Sequence, residues 1–294
     1  MTMTLEQRRF FAEEVQMVAN LRTTRLIDAF ATIPREAFLR PGPWLIRGEG
    51  DIGAPPRATP DADPRHLSHN IVVAIDPGRQ LFNGMPSALG SWIDTLALQP
   101  GDHVLHVGCG LGYYSALMAH CVGERGRVVA IDVDESLVAE ARANLSSYPH
   151  VEVRGGSGVD LHRDGDTFDA ILINAGMTHP HVAWLDALRH GGRLILPLTC
   201  PFPQLGPTLG KGVVIAIADR GGPALDARLL NFVAVYSAMG IRDPAMEEAL
   251  GKAMMRNPMP AITQLRRDAH EPSAGCWFHQ DTFCFSLASR ASRE

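Results

Sequence analysis

Residues 104–114 have the sequence VLHVGCGLGYY, in which an apolar run leads into three alternating glycines and then two tyrosines. The pattern predicts a strand that ends in a glycine-rich turn and continues as a helix. Glycine suits such a turn because it carries no Cβ, so a ligand can approach the backbone, and because it tolerates positive φ. Taken alone, such a turn also fits simple packing of a helix against a strand, and both interpretations stay open at this point.

Asp132 favours the ligand-binding interpretation of the turn. It follows Gly112 by 20 residues and ends the next predicted strand. A carboxylate in this position can accept hydrogen bonds from ribose hydroxyls. A dinucleotide fingerprint would have the pattern G-x-G-x-x-G, whereas this chain has G-x-G-x-G, with Tyr113 where the third glycine would stand.

Around the turn, short apolar strands alternate with helical segments. Predicted strands cover residues 103–107, 127–132, 151–154, 169–173 and 193–196, and predicted helices cover 112–121 and 135–145, the second with Asp134 as its N-cap. Strands alternating with helices are typical of an α/β protein with a doubly wound, mostly parallel sheet. Residues 213–219 and 229–236, joined by Gly221-Gly222, predict an antiparallel C-terminal hairpin.

Three parts of the chain follow from these patterns: an N-terminal helical and loop cap at 1–69, the α/β domain at 70–238, and a C-terminal extension at 239–294. Residues 5–33 are predicted to be helical, and residues 41–64, with six prolines, are predicted to lack regular structure. Another helix is predicted to begin at Pro86. The extension is predicted to hold a helix near 246–254 and a last strand at 278–285.

Composition excludes several classes of protein. Among 294 residues, 27 Lys and Arg stand against 32 Asp and Glu, a net charge of −5, so a broadly basic nucleic-acid or membrane binder is excluded. Five scattered cysteines do not suit a disulfide scaffold. No N-terminal signal peptide or long apolar run is evident. A cytoplasmic protein without nucleic-acid or membrane partners is therefore expected.

The glycine motif resembles the first motif of class I S-adenosylmethionine-dependent methyltransferases. Further stretches resemble protein-L-isoaspartate O-methyltransferases, and the resemblance spans residues 20–200. These stretches are Ile33-Pro34-Arg35-Glu36-Ala37-Phe38, Leu98-Gln99-Pro100-Gly101 with Tyr113, Phe168-Asp169-Ala170-Ile171, and Gly191-Gly192-Arg193-Leu194-Ile195-Leu196-Pro197. The resemblance implies a Rossmann-like fold, S-adenosylmethionine as cofactor, and an isoaspartyl carboxylate as methyl acceptor.

This chain departs from the family pattern at three places. The family has a Thr/Ser-rich signature ending in proline, but residues 82–86 are Phe82-Asn83-Gly84-Met85-Pro86, which leaves Asn83 as the nearest polar replacement for the hydroxyl. Gly156-Ser157-Gly158 replaces Gly-Asp-Gly. His106 stands where the glycine motif usually has an acid. A divergent member of the family is therefore expected.

The resemblance implies Asn83 as the catalytic residue, which orients the acceptor carboxylate. It also implies a set of residues around S-adenosylmethionine, with Asp132 on the ribose and Ser157 near the adenine. These residues are Phe82, Gly84, Met85, Pro86, Gly108, Cys109, Gly110, Gly112, Tyr113, Tyr114, Asp132, Val133, Gly156, Ser157 and Asn174.

Carboxyl O-methylation is the expected reaction, on a protein, a peptide or a small-molecule carboxylate. A carboxylate is already ionised at neutral pH and needs no general base, and no paired-carboxylate or Ser/His/Asp pattern appears in the sequence. Two alternatives stay open: a methyltransferase for a small metabolite or biosynthetic peptide, and a non-catalytic S-adenosylmethionine-binding protein. No metal site is expected. Cys276, His279 and Cys284 have ligand-like spacing, but they are interpreted as core residues of an apolar strand.

Overall fold

The computed structural model describes residues 2–51, 54–161, 166–206 and 208–287. The chain divides into two compact units, Met1–Gly158 and Val159–Glu294. The division into 1–69, 70–238 and 239–294 stays a prediction. Within it, residues 52–53 of the proline-rich stretch and 288–294 of the extension lie outside the described residues.

The N-terminal segment of the first unit is helical, as predicted for residues 5–33, but residues 20–23 divide it into two helices. Helix α1 spans Leu5–Ala19 and α2 spans Thr24–Thr32. Thr4 and Gln7 form a reciprocal capping box at the start of α1. Asn20 ends α1 with φ of +51°, a left-handed conformation that asparagine tolerates better than most residues.

Short strands form in and after the proline-rich stretch, so the expectation of no regular structure at 41–64 was wrong. Strands β1 (Leu45–Arg47), β2 (Arg57–Ala58), β3 (Val72–Asp76) and β4 (Leu81–Phe82) form an antiparallel sheet in the order β2-β1-β3-β4. Ile46 pairs with Val73, and both side chains are buried with Trp44 and Leu67. Pairing with β3, which is distant in sequence, imposes the strand conformation here.

The rest of the first unit has the predicted alternation of strands and helices. Its elements are α3 (Pro86–Leu96), β5 (His103–Val107), α4 (Tyr113–Val122), β6 (Arg127–Asp132), α5 (Glu135–Asn144) and β7 (Val151–Gly155). Strand β6 pairs in parallel with both β5 and β7. The Asp134 carboxylate accepts from the backbone N–H groups of Ser136 and Leu137, which confirms it as the N-cap of α5.

In the second unit, a parallel pair of strands continues into an antiparallel sheet. The elements are β8 (Phe168–Ile173), α6 (Val182–Ala187), β9 (Leu188–Pro201), β10 (Leu209–Ala218), β11 (Leu225–Tyr236), α7 (Pro244–Arg256), β12 (Ile262–Arg266), β13 (Cys276–Gln280) and β14 (Phe283–Leu287). Their order is β13-β14-β12-β11-β10-β9-β8, and of the paired neighbours only β8 and β9 run parallel.

The predicted antiparallel hairpin, now β10 and β11, is confirmed. Strand β9 is much longer than predicted because β10 pairs along its whole C-terminal half. The single last strand predicted at 278–285 was wrong, since a turn at Asp281 and Thr282 divides that segment into two paired strands. The chain is thus an α/β protein with parallel central strands and antiparallel C-terminal strands, as the sequence predicts.

Candidate functional site

The glycine-rich turn joins β5 to α4, and its three glycines all adopt positive φ. The φ values are +79° at Gly108, +53° at Gly110 and +92° at Gly112, a region that other residues rarely enter. At Gly112 space is limiting as well, since a Cβ would lie 2.7 Å from Leu145 Cδ1. The backbone itself therefore requires the G-x-G-x-G spacing.

Asp132, the last residue of β6, faces this turn. Its Oδ2 accepts a hydrogen bond from the Gly110 N–H at 2.9 Å, and its Oδ1 accepts one from the Asp134 N–H at 3.1 Å. Burial raises the pKa of the Asp132 carboxyl, and these backbone donors partly offset that effect. Each carboxylate oxygen has a second lone pair, so Asp132 can still accept hydrogen bonds from ligand hydroxyls.

The end of β7 completes this edge of the parallel strands. The Gly156 N–H donates to the backbone oxygen of Asp132 at 2.9 Å. Gly156 has φ of +130°, and the position of its absent Cβ has open space around it within the part of the chain that the structure describes. Ser157 is half-buried, and the Val133 side chain is 41% exposed. Glycines and a carboxylate thus line an open edge, where α/β proteins bind ligands.

Asn83 holds the segment between β4 and α3 to the neighbouring strand. Its Oδ1 accepts from the Val73 N–H at 2.8 Å and from Arg35 Nη2 at 3.3 Å, while its own N–H donates to the Val73 oxygen at 2.9 Å. Because both side-chain contacts are donors, the atom that faces them must be the amide oxygen. The amide nitrogen Nδ2 donates to no residue among those described.

Gly84 follows Asn83 and lies against the first turn of α4. The Tyr114 hydroxyl donates to the Gly84 oxygen at 2.5 Å. A Cβ on Gly84 would lie 2.3 Å from Leu89 Cδ2, so the close approach of this segment to α3 requires glycine. Met85 precedes α3, and Pro86 occupies its first turn, where a missing N–H costs nothing. Phe82 is half-buried beneath the Arg47 guanidinium, 4.8 Å from the ring centroid.

The segment 82–86 and the glycine turn are therefore neighbours within the first unit. Besides the bond between Tyr114 and Gly84, β3 connects them, because Ile75 Cδ1 lies 3.6 Å from the position of a Cβ on Gly110. Ile75 also packs with Leu111 of the turn in one buried cluster. The structure brings together two stretches that the resemblance assigns to the same cofactor site.

Titratable side chains within the turn and its flanks are held neutral. Burial, aided by the charge of Asp132, raises the pKa of the Cys109 thiol well above its usual range. Burial also raises the pKa values of Tyr113 and Tyr114. The same cause lowers the pKa of His106 to about 3. None of these four groups is poised to exchange a proton near neutral pH.

Tyr113 and Tyr114, two of the predicted site residues, have buried side chains. The Tyr113 ring is buried edge-on to Phe38, with centroids 5.6 Å apart, and Tyr114 contacts it at 5.2 Å. Only the backbone of these tyrosines is therefore available to a ligand at the turn. Asn174 follows β8 in the second unit, where it is half-buried.

Arg35 is a buried residue next to Asn83 that the sequence analysis did not single out. Its side chain is 1% exposed, and its guanidinium donates to the backbone oxygens of Leu67, His69 and Ile71 as well as to Asn83. Burial lowers the pKa of this guanidinium. The sequence offered one signal, the Ile33-Pro34-Arg35 stretch, but no local pattern shows that an arginine will be buried.

Comparisons with known proteins agree with this geometry. A family model described as Protein-L-isoaspartate(D-aspartate) O-methyltransferase matches residues 69–205. A protein-L-isoaspartate O-methyltransferase of Methylorubrum extorquens is 32% identical over 237 residues, which cover 79% of this chain and 89% of that protein. Its counterpart in Methylorubrum populi is 31% identical over 232 residues, 77% of this chain and 94% of that protein.

Two solved structures share the fold. One, described as a protein-L-isoaspartate O-methyltransferase, has a TM-score of 0.61 and 18% identity, and covers 95% of this chain and 88% of its own. The other, a Plasmodium falciparum protein described as a putative protein-L-isoaspartate O-methyltransferase in complex with S-adenosyl-L-homocysteine, has a TM-score of 0.58 and 16% identity. It covers 78% of this chain and 97% of its own.

Fold and site together define a Rossmann-like methyltransferase that depends on S-adenosylmethionine. The space beside Gly156 and the remaining lone pairs of the Asp132 carboxylate fit the nucleoside part of that cofactor. The chain belongs to the protein-L-isoaspartate O-methyltransferase family. In the described ranges, none of the helices combines the length and the apolar content of a membrane span.

Proposed function

We propose that this enzyme transfers the methyl group of S-adenosylmethionine to the free carboxylate of isoaspartyl residues in proteins or peptides. The observation that carries the proposal is the orientation of Asn83, whose oxygen is engaged and whose amide nitrogen faces no partner among the described residues. This orientation offers a hydrogen-bond donor, which is what a carboxylate can accept. Relatives named for isoaspartyl methylation support the same acceptor.

S-adenosylmethionine supplies an electrophilic methyl group on a sulfonium. The neutral thioether that remains after transfer is a good leaving group and needs no acid. The protein then has to bind the two substrates, orient the acceptor toward the methyl group, and exclude water. In the proposal, Gly108, Cys109, Gly110 and Gly112 contact the cofactor through their backbone, and the Asp132 carboxylate accepts from the ribose hydroxyls. Gly156 leaves room beside Ser157 for the adenine.

A carboxylate acceptor is consistent with the protonation states of the site. Its pKa is about 4, so it is ionised at neutral pH without a base. Cys109 and Tyr114 keep their protons at that pH, because burial raises both pKa values. His106 is neutral but buried, with its Nδ1 2.8 Å from Ser115 Oγ. An amine or alcohol acceptor would need a base that these groups do not provide.

Asn83 acts as the orienting residue in this proposal, and Arg35 acts through it. Arg35 is buried, and its guanidinium donates to the backbone oxygens of Leu67 and Ile71 and to Asn83 Oδ1. These hydrogen bonds hold the Asn83 side chain in its orientation. The amide nitrogen of Asn83 would then donate to one oxygen of the acceptor carboxylate and direct the other toward the methyl group. This asparagine takes the place of a hydroxyl in the related enzymes.

Substituting Asn83 tests the proposal with little change to the fold. Asn83→Asp keeps an oxygen for Val73 and Arg35 but replaces the free donor with a negative charge. We expect kcat/KM for an isoaspartyl peptide to fall by about 10–100-fold, the worth of a hydrogen bond to a charged group. Affinity for S-adenosylhomocysteine, measured by calorimetry, should stay nearly unchanged.

Asn70→Asp is the matched control, because both polar atoms of the Asn70 amide are already bonded to Ser87 at the start of α3. The assay measures labelled methyl transfer to an isoaspartyl peptide and to the same peptide with ordinary aspartate. Base-labile methyl groups on the isoaspartyl peptide alone support the proposal. Base-stable methylation, or no transfer to either peptide, contradicts it and favours a small-metabolite or biosynthetic-peptide acceptor, or a non-catalytic binding protein.

A further inference from the structure

Four potential metal ligands converge in the C-terminal part of the second unit. His270, Cys276, His279 and Cys284 each offer one nitrogen or sulfur, and these atoms all lie within 4.8 Å of one another. The match to the family model ends at residue 205, so the cluster lies outside it. The sequence analysis interpreted three of the four as core residues and did not single out His270.

The β13–β14 hairpin places three of these residues on one face. His279 and Cys284 are directly paired across the two strands, so their side chains are neighbours. Cys276 and His279 are three positions apart and would point to opposite faces of a regular strand. The register shift between Cys276 and Phe278 brings both to the same face. Trp277 and Phe278, each 1% exposed, fill the core instead.

The loop between β12 and β13 supplies the fourth residue. The His270 and His279 rings meet edge-to-face, with centroids 4.7 Å apart. His270 Nδ1 lies 2.9 Å from the backbone oxygen of Asp268, and because a carbonyl only accepts, Nδ1 carries the proton. In the neutral ring, His270 Nε2 is the unprotonated nitrogen, and it lies 3.7 Å from Cys276 Sγ. Histidine ligands are commonly oriented by such a second hydrogen bond.

Two further contacts suit metal coordination. The Ser273 N–H donates to Cys276 Sγ at 3.4 Å, which stabilises negative charge on the sulfur. The Nδ1 atom of His279 is buried and has no hydrogen-bond partner in the described part of the chain. A buried nitrogen without a partner is costly unless another group satisfies it. A cation within the cluster would remove that cost.

We propose that His270, Cys276, His279 and Cys284 form a structural zinc site. Two sulfurs and two nitrogens are a preferred zinc set, and two thiolates balance the charge of Zn²⁺. Tetrahedral coordination with bonds of about 2.0–2.3 Å requires ligand atoms roughly 3.3–3.8 Å apart, so the distances within the cluster shorten by about 1.5 Å or less on binding. Four protein ligands leave no open position for a substrate, so the metal ties the His270 loop to the hairpin.

The test uses the whole 294-residue chain without a histidine tag, purified under reducing conditions without chelator. Inductively coupled plasma mass spectrometry should find about one zinc per chain, as expected for one tetrahedral site. Replacing zinc with Co²⁺ should give the strong visible bands of a tetrahedral site together with thiolate-to-cobalt charge transfer. Absence of both zinc and these cobalt bands would overturn the proposal.

Variants of the cluster and a control cysteine test the ligand assignment. Cys276→Ser combined with Cys284→Ser should abolish the charge-transfer band and the zinc, while Cys200→Ser, a half-buried cysteine of the same unit outside the cluster, should retain both. Far-UV circular dichroism checks that each variant is folded. If the double variant unfolds, His279→Gln provides the same comparison by loss of metal alone. Metal retained by the double variant, or a Cys276–Cys284 disulfide in the reduced wild-type preparation detected by intact mass, would refute the assignment.

Discussion

The ionisation of His106 provides a quantitative test of the environment beneath the glycine turn. The side chain is fully buried on β5, and Nε2 has no hydrogen-bond partner in the described residues. Burial lowers the pKa of His106 from 6.5 to about 3. Between these pH values the unfolded chain binds a proton that the folded protein does not bind, so stability is lost as the pH falls through this window.

The size of this loss follows from the two pKa values. At about pH 5 the proton favours the unfolded state by roughly RT ln(1 + 10^1.5), or about 2 kcal/mol, and at about pH 7.5 by less than about 0.1 kcal/mol. His106→Gln removes the titration and keeps a polar group for Ser115. The free energy of unfolding of the wild type should therefore fall by about 2 kcal/mol more than that of the variant between these pH values.

Urea unfolding at both pH values measures this difference, since all other histidines contribute equally to the two proteins. His190→Gln is the matched control, because the His190 side chain is 78% exposed in the folded protein, whereas that of His106 is buried. The same pH dependence in the wild type and in His106→Gln would mean that the folded protein protonates His106. That result would refute a dry, neutral environment under the turn.

Two further predictions concern the turn itself. Asp132→Ala should weaken binding of S-adenosylhomocysteine by about 1–3 kcal/mol in calorimetry, because a hydrogen-bonding charged group is lost, whereas the exposed neighbour Glu135→Gln should bind normally. Gly101→Ala, at φ of +97° with open space around it, should cost about 1–2 kcal/mol of stability from backbone strain alone. Gly112→Ala adds a clash with Leu145, so its free energy of unfolding should fall by roughly 1–3 kcal/mol more than that of Gly101→Ala in urea unfolding. Equal losses of stability in the two variants would contradict the argument from packing.

Local patterns account for the parts of the structure that the sequence predicted well. The bounds of β5 and β6 match the prediction because Gly108 follows the apolar run of β5 and Asp132 ends that of β6, so both signals lie in or next to the strand. The positive φ values at Gly108, Gly110 and Gly112 explain why the motif was recognisable. By contrast, strands β1 and β2 were missed, because residues distant in sequence impose their conformation on a proline-rich segment.

Sequence by itself determined the class of fold and the glycine turn, because each depends on short-range periodicity or on a backbone conformation that only glycine adopts freely. The cofactor was implied by the resemblance of this turn to a family motif. Only tertiary structure decided which atom of Asn83 is free, since that depends on Arg35, which lies 48 positions away. It also decided that His270, Cys276, His279 and Cys284 meet, because a shift in strand register reverses the face of one of them. Such contacts join distant residues through packing, which no pattern in the local sequence records.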